Sequence, residues 1–225
     1  MGYKVYINWI LWLIGARNIL SQEIIDRIAV LDNNEPLENI KETFRLKLNF
    51  QLTDEFLARK TVIDMLIRAS ENLPLQFTLI VKEAYRSRER QERLWQEMLH
   101  RAEKMNPSAN KIELERIARL SVAQPIGEGG GHQTGGAVDV TLGDANGKEL
   151  FLGTEAHEFS DKTPINSKNI AESDKIKREI LCNAMLKAGF INYPAEWWHY
   201  SFGDKLWAAY SRKTKAFYGQ VNIRG

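Results

Sequence analysis

The chain reads as a single α+β domain with a largely antiparallel sheet flanked by helices. Three observations predict this. Apolar residues recur at three and four positions between Thr53 and Ala69 and again between Ser173 and Ala188, the period of a half-buried helix. Alternating or continuous apolar runs, Phe77–Ala84 and Ala137–Leu142 foremost, have strand length and composition. Helices and strands then mix without the regular alternation that builds a parallel sheet. With 225 residues, 44% hydrophobic and 27% charged, a sizeable core is expected and disorder is not. The segment 1–50 is expected to pack on a main domain of 51–225.

Taken in order, Tyr3 to Ile14 is rich in Trp, Ile and Leu. Its uninterrupted apolar run, Trp9–Ile14, is far shorter than the ~20 residues that cross a bilayer. Asn8 and the lack of a clean small-x-small site make it a poor signal peptide. The expectation is a cytoplasmic protein, with periplasmic or secreted as the alternative if the segment is a signal. Ser21 to Ile28 predicts a short helix with Ser21 at its N-cap, and Asp32 to Pro36 a turn. Thr53 is expected to cap a helix that Asn72 and Pro74 end. After the Phe77–Ala84 strand, a charged helix is expected over Ser87–Met105 and another over Lys111–Leu120. Pro125–Gly131 is a glycine-rich loop. Asp144–Gly147 predicts a turn leading to a strand over Glu149–Leu152. Ser173 is expected to cap a helix whose stripe is Ile176, Ile180, Leu181, Ala184, Met185 and Ala188, ended by Gly189. Phe190–Tyr193 and Trp197–Phe202 close the chain's strands around Pro194.

A formal charge of +2 gives no concentrated basic face for nucleic acid. The lone cysteine, Cys182, sits in an apolar helical pattern and is read as a small buried hydrophobe.

Chemistry concentrates in two stretches: His132-Gln-Thr-Gly-Gly-Ala-Val-Asp139 and Glu196-Trp-Trp-His199. Two histidines and an aspartate are a zinc ligand set that leaves a fourth position open. The remaining glutamate is the residue type that takes a proton from water in such a site. A two-residue turn at Gly135-Gly136 would set His132 opposite Asp139, with Cβ atoms roughly 5 Å apart. Glu196 and His199, three apart, point to opposite faces of an ideal strand, so a bend at Pro194-Ala195 is expected to free Glu196. Trp197 and Trp198 would form a dry wall that raises the carboxyl's pKa. Arg86, at a strand end, is a candidate to hold a substrate carboxylate or a developing oxyanion, against the plainer reading of an ion pair with nearby Glu residues. Tyr85, His157 and Trp198 are the remaining candidates for substrate contact.

These motifs, with Tyr85-Arg86-Ser87, Leu152-Gly153-Thr154, Glu158-Phe159-Ser160, Ala188-Gly189-Phe190 and the stretch from Trp207-Ala208 to Tyr218-Gly219, resemble the D-alanyl-D-alanine dipeptidases of the vancomycin-resistance type. These fall within the zinc D,D-carboxypeptidases and dipeptidases of peptidoglycan peptides. The resemblance covers roughly residues 60–221. It implies that fold, Zn2+ on His132, Asp139 and His199, Glu196 as catalytic base, Arg86 on the reacting carbonyl, and a small peptide substrate containing D-amino acids. Two positions depart: Gly130 stands where the pattern has Ser, and Ala156-His157 where it has Phe-Asp. That Asp is expected to hold the substrate's amino group, a job His does poorly. The alternatives are therefore a D,D- or L,D-carboxypeptidase of longer muropeptides and a non-catalytic zinc-containing peptide-binding module.

Overall fold

A computed structural model describes residues 19–119, 122, 124–125 and 130–222. The apolar run Tyr3–Ile14 and much of the Pro125–Gly131 loop lie outside these residues. The described strands are β1 (Ala29–Val30), β2 (Leu37–Asn39), β3 (Leu46–Leu48), β4 (Leu57–Arg59), β5 (Phe77–Glu83), β6 (Ala137–Asp144), β7 (Ile191–Asn192), β8 (His199–Ser201) and β9 (Lys215–Ala216). The helices are α1 (Gln22–Asp26), α2 (Lys60–Asn72), α3 (Arg88–Met105), α4 (Lys111–Ala118), α5 (Glu172–Ala188) and α6 (Lys205–Tyr210).

The main sheet runs β3-β5-β6-β8-β7. β3 pairs parallel with β5 and every other pair is antiparallel, so the expected α+β class holds. Val138, Val140 and Leu142 alternate with Asp139 and Thr141 along β6, as a period of two requires. The first set joins Leu79 and Val81 in the core. Val62, Met65, Leu66 and Ala69 of α2 and Leu181, Ala184, Met185 and Ala188 of α5 join the same core.

Several expectations are corrected. Thr53 does not cap a helix. Its hydroxyl closes a local turn with Glu55, and Leu57–Arg59 pairs with Leu37–Asn39 as strand, so α2 starts only at Lys60. Cross-strand pairing outcompetes helical periodicity there, because the apolar side chains satisfy either pattern. The residues after the Asp144–Gly147 turn form a single bridge, Gly143 to Glu149, rather than a strand. The N-cap of α5 is Ala171, not Ser173, and Ile176 is exposed. Gly189 ends α5 at φ 108° as expected, a conformation that favours glycine. Cys182 is half-buried and burial pushes its thiol up.

Around residues 20–30 the chain packs on its own C-terminal part. Leu20, Ile24 and Ile25 meet Ala209 in a small separate cluster, and β1 pairs parallel with β9. β3, from within 1–50, is an edge of the main sheet. Among the described residues no helix is long and apolar enough to cross a membrane.

Candidate metal centre

Three neighbouring strands meet in one rung. Asp139 of β6 lies opposite His199 of β8 and opposite Glu83 of β5. A register shift between Val81 and Glu83 makes this rung. Without the extra residue, Lys82 would face Asp139; the bulge turns Lys82 away to Glu149, 2.5 Å from its Nζ, and installs an acid instead.

His132 reaches the rung by a different route from the expected hairpin. Gly131–Thr134 is a turn of 3-10 helix, and Gly135 follows at φ 71°. A two-residue hairpin is ruled out because β6 pairs with β5 and β8 on its two sides. The turn is fixed from below by Arg59, a buried guanidinium. Its Nε donates to the Thr134 carbonyl at 2.8 Å, and its Nη2 donates to the Gly219 carbonyl at 3.0 Å. At Gly136, an added Cβ would sit 2.4 Å from the Phe202 carbonyl, so this position admits only glycine without a shift.

The ligand-type atoms of His132, Asp139 and His199 lie within 4.8 Å of one another, all three residues buried. His132 Nδ1 is 2.7 Å from the Ala84 carbonyl. A carbonyl only accepts, so Nδ1 carries the proton and Nε2 presents a lone pair. That lone pair faces Asp139 Oδ1 at 3.3 Å. Two acceptors meeting in a buried place call for a cation between them. Asp139 Oδ1 is also 2.9 Å from His199 Nδ1. Two imidazoles and one carboxylate are a donor set suited to zinc, so the residues fit the metal the sequence implies. Burial would raise the Asp139 carboxyl, but the surrounding imidazoles of His132, His157 and His199 hold it well below the usual range.

Glu196 reaches the same space through the expected bend. Its N–H donates to the Tyr193 carbonyl at 2.9 Å, closing a turn at Pro194-Ala195 before β8 begins at His199. Burial, chiefly, pushes the Glu196 carboxyl up to about 7, with Asp139 adding to the rise and His199 and Arg86 opposing it. Arg86 makes the ion pair of the plainer reading and also lines the cleft. Its Nε donates to Glu83 Oε1 at 3.0 Å, its Nη2 pairs with Glu83 Oε2, and its Nη1 donates to Gln91 Oε1 at 2.9 Å. Burial would weaken its charge, but the Glu83 carboxylate reverses this and keeps the guanidinium firmly protonated.

His132, Asp139, His199, Glu196, Arg86 and His157 all line one cavity of about 470 Å³, within the ~300–1,000 Å³ of small-ligand sites. Gly130 lines it too. Of the suggested substrate contacts, two do not line it. Tyr85 is buried and its hydroxyl donates to the Val221 carbonyl at 2.9 Å. Trp198 is fully buried, its ring edge-on to those of His157 and Trp197; neither tryptophan lines the cavity, so the expected wall at its surface is not formed by them. Sequence reasoning missed Glu83, Gln91, Ser201 and Asp204. The Ser201 hydroxyl lies 3.3 Å from His199 Nε2. Asp204 caps α6 through Trp207 N–H at 2.7 Å and lines the cavity. Only Asp204, before Lys-Leu-Trp, carried a local signal, that of an N-cap.

An α+β domain with a candidate His-Asp-His metal site, a partly buried glutamate and a guanidinium on one cleft defines the class of this protein. Residues 40–219 match the peptidase family described as D-ala-D-ala dipeptidase, and the chain belongs to that family. It is 37% identical over 107 residues to a D-alanyl-D-alanine dipeptidase of Synechocystis sp., covering 40% of this chain and 43% of that protein. It is 25% identical over 122 residues to a D-alanyl-D-alanine dipeptidase of Escherichia coli, covering 54% and 53%. The matched stretches thus span about half the length of these relatives. Among solved structures it is similar to the vancomycin-resistance D,D-pentapeptidase VanY in complex with Zn(II), at a TM-score of 0.41, 17% identity and coverage of 85% and 95%. VanYB in complex with D-Alanine-D-Alanine is similar at a TM-score of 0.42, 16% identity and coverage of 83% and 93%.

Proposed function

We propose that this protein hydrolyses the peptide bond of a D-Ala-D-Ala-like dipeptide, or of a related small peptidoglycan peptide containing D-amino acids, in a zinc-dependent reaction. The observation that carries this reading is the convergence of His132, Asp139, His199, Glu196 and Arg86 on one cavity. Family membership supports the substrate class.

His132, Asp139 and His199 would hold the metal. Zinc, when bound, is a Lewis acid that polarises a carbonyl and lowers the pKa of water. Glu196 takes a proton from the attacking water as the new carbon–oxygen bond forms. It then delivers that proton to the leaving nitrogen as the carbon–nitrogen bond breaks, yielding a carboxylate and an amine. A carboxyl poised near neutrality suits both transfers. Arg86, charged and braced by Glu83 and Gln91, faces the cleft with donors for the negative charge that develops on the carbonyl oxygen.

The test is zinc quantitation coupled to hydrolysis of D-Ala-D-Ala, L-Ala-D-Ala, a tetrapeptide and a pentapeptide. The wild type should bind about one zinc and cleave a D,D bond, while His132→Ala and His199→Ala should lose both metal and turnover. Full zinc occupancy in both variants would sink the site. A pentapeptide cleaved with D-Ala-D-Ala untouched would select a carboxypeptidase. Zinc uptake with no hydrolysis of any of the four would leave a binding module.

A further inference from the structure

We infer that His157 is a positioning residue of the metal centre: its imidazole fixes the outer oxygen of Asp139, so that the inner oxygen alone is presented to the metal. This rests on the metal-centre reading above and extends it to a residue outside the ligand set.

The geometry divides the Asp139 carboxylate cleanly. Oδ1 faces His132 and His199, at 3.3 and 2.9 Å. Oδ2 faces His157 Nε2, at 2.7 Å. A deprotonated carboxylate only accepts, so His157 Nε2 carries the proton and donates it to Oδ2. Such outer hydrogen bonds on ligating groups set their orientation and basicity.

The fold holds this imidazole at a backbone position a histidine rarely takes. His157 has φ 66°, the left-handed region where side chains other than glycine are strained. The strain persists because the surroundings over-determine it. Trp197 Nε1 donates to Thr154 Oγ1 at 2.9 Å, and the Trp197 N–H donates to the Thr163 carbonyl at 3.3 Å. Thr163 Oγ1 in turn donates to the Glu158 carbonyl at 2.7 Å. The His157 ring then meets Trp198 edge to face, centroids 5.5 Å apart. The Glu-Trp-Trp-His stretch that supplies Glu196 and His199 therefore also moulds the loop that aims His157.

Glu83, Asp139 and His157 also bring ligand-type atoms together. They do not make a second metal site, because the Glu83 oxygens are held by Arg86 and Arg90. His157 is left with Asp139 as its partner in that cluster.

The test compares His157→Gly, which removes the donor and relieves the backbone, with His157→Gln, whose amide nitrogen reaches about as far as Nε2. Zinc affinity is measured by chelator competition, and melting of the metal-free proteins is followed alongside. The glycine variant should melt at or above the wild-type temperature yet bind zinc ~10–100-fold more weakly. Glutamine should recover most of that affinity without gaining stability. If the glycine variant fails to fold, glutamine against His157→Met, of similar length and without a donor, makes the same comparison. Wild-type zinc affinity in the variants lacking a donor, or glutamine no better than they are, overturns the inference. A wild-type protein that takes up no zinc would instead overturn the metal-centre reading itself.

Discussion

Replacing Glu196 by glutamine should abolish turnover and yet stabilise the metal-free protein above neutral pH. Burial raises the Glu196 carboxyl from its ordinary 4.5 to about 7. Between those values the folded chain holds a proton that the unfolded chain has released, so stability falls as pH rises. The favourable contribution is full below pH 4.5 and gone above about 7. At about 1.4 kcal/mol for each tenfold change, the loss is about 3 kcal/mol, or roughly 6–12 °C in melting temperature for a chain of this size. Glutamine is neutral throughout and escapes it. Urea denaturation of both chelator-stripped proteins from pH 4.5 to 8.5 should show similar stabilities at the acid end and a growing advantage for the variant toward pH 8. A bound cation favours the ionised carboxyl, so zinc should shrink the difference. An advantage that is absent at pH 8, or equal at every pH, would refute the burial argument.

Other outcomes follow from the same site. Arg86→Ala strands the buried Glu83 carboxylate with Arg90 alone and should lower stability by about 3–5 kcal/mol. Adding Glu83→Gln should restore most of the stability but none of the hydrolysis, as urea titration and a D-Ala-D-Ala assay would reveal. Gly136→Ala drives a Cβ to 2.4 Å from the Phe202 carbonyl. Backbone cannot yield as a side-chain tip can, so a loss of about 1–3 kcal/mol is expected, with zinc affinity falling too because residue 136 links His132 to Asp139. A melting curve and a zinc titration that both match the wild type would contradict this.

The proposed ligands, base and guanidinium stand out in the sequence because each is a rare residue type in a compact local setting: His132 and Asp139 around Gly135-Gly136, and Glu196 and His199 around two tryptophans. Their mutual geometry does not. The symmetric spacing suggested a hairpin, whereas Asp139 lies opposite His199, sixty residues away, and His132 arrives on a turn held by Arg59. Helical periodicity likewise misplaced the start of α2, since Leu57–Arg59 fits a strand as well and only its partner Leu37–Asn39 decides between them.

By itself, then, the sequence determined the candidate chemistry: which side chains can bind a cation, which can move a proton, and that they lie about a glycine turn and about two tryptophans. Periodicity and local composition are short-range properties, and they sufficed for the α+β class and most of its elements. Only the tertiary structure decided the rung Glu83–Asp139–His199, because a one-residue bulge at Lys82 chooses which side chain faces Asp139. It also decided where the His157 imidazole lies. A histidine where the family pattern has aspartate reads in sequence as a missing substrate anchor. In the fold, its imidazole lies against the one oxygen of Asp139 that the other two histidines do not face.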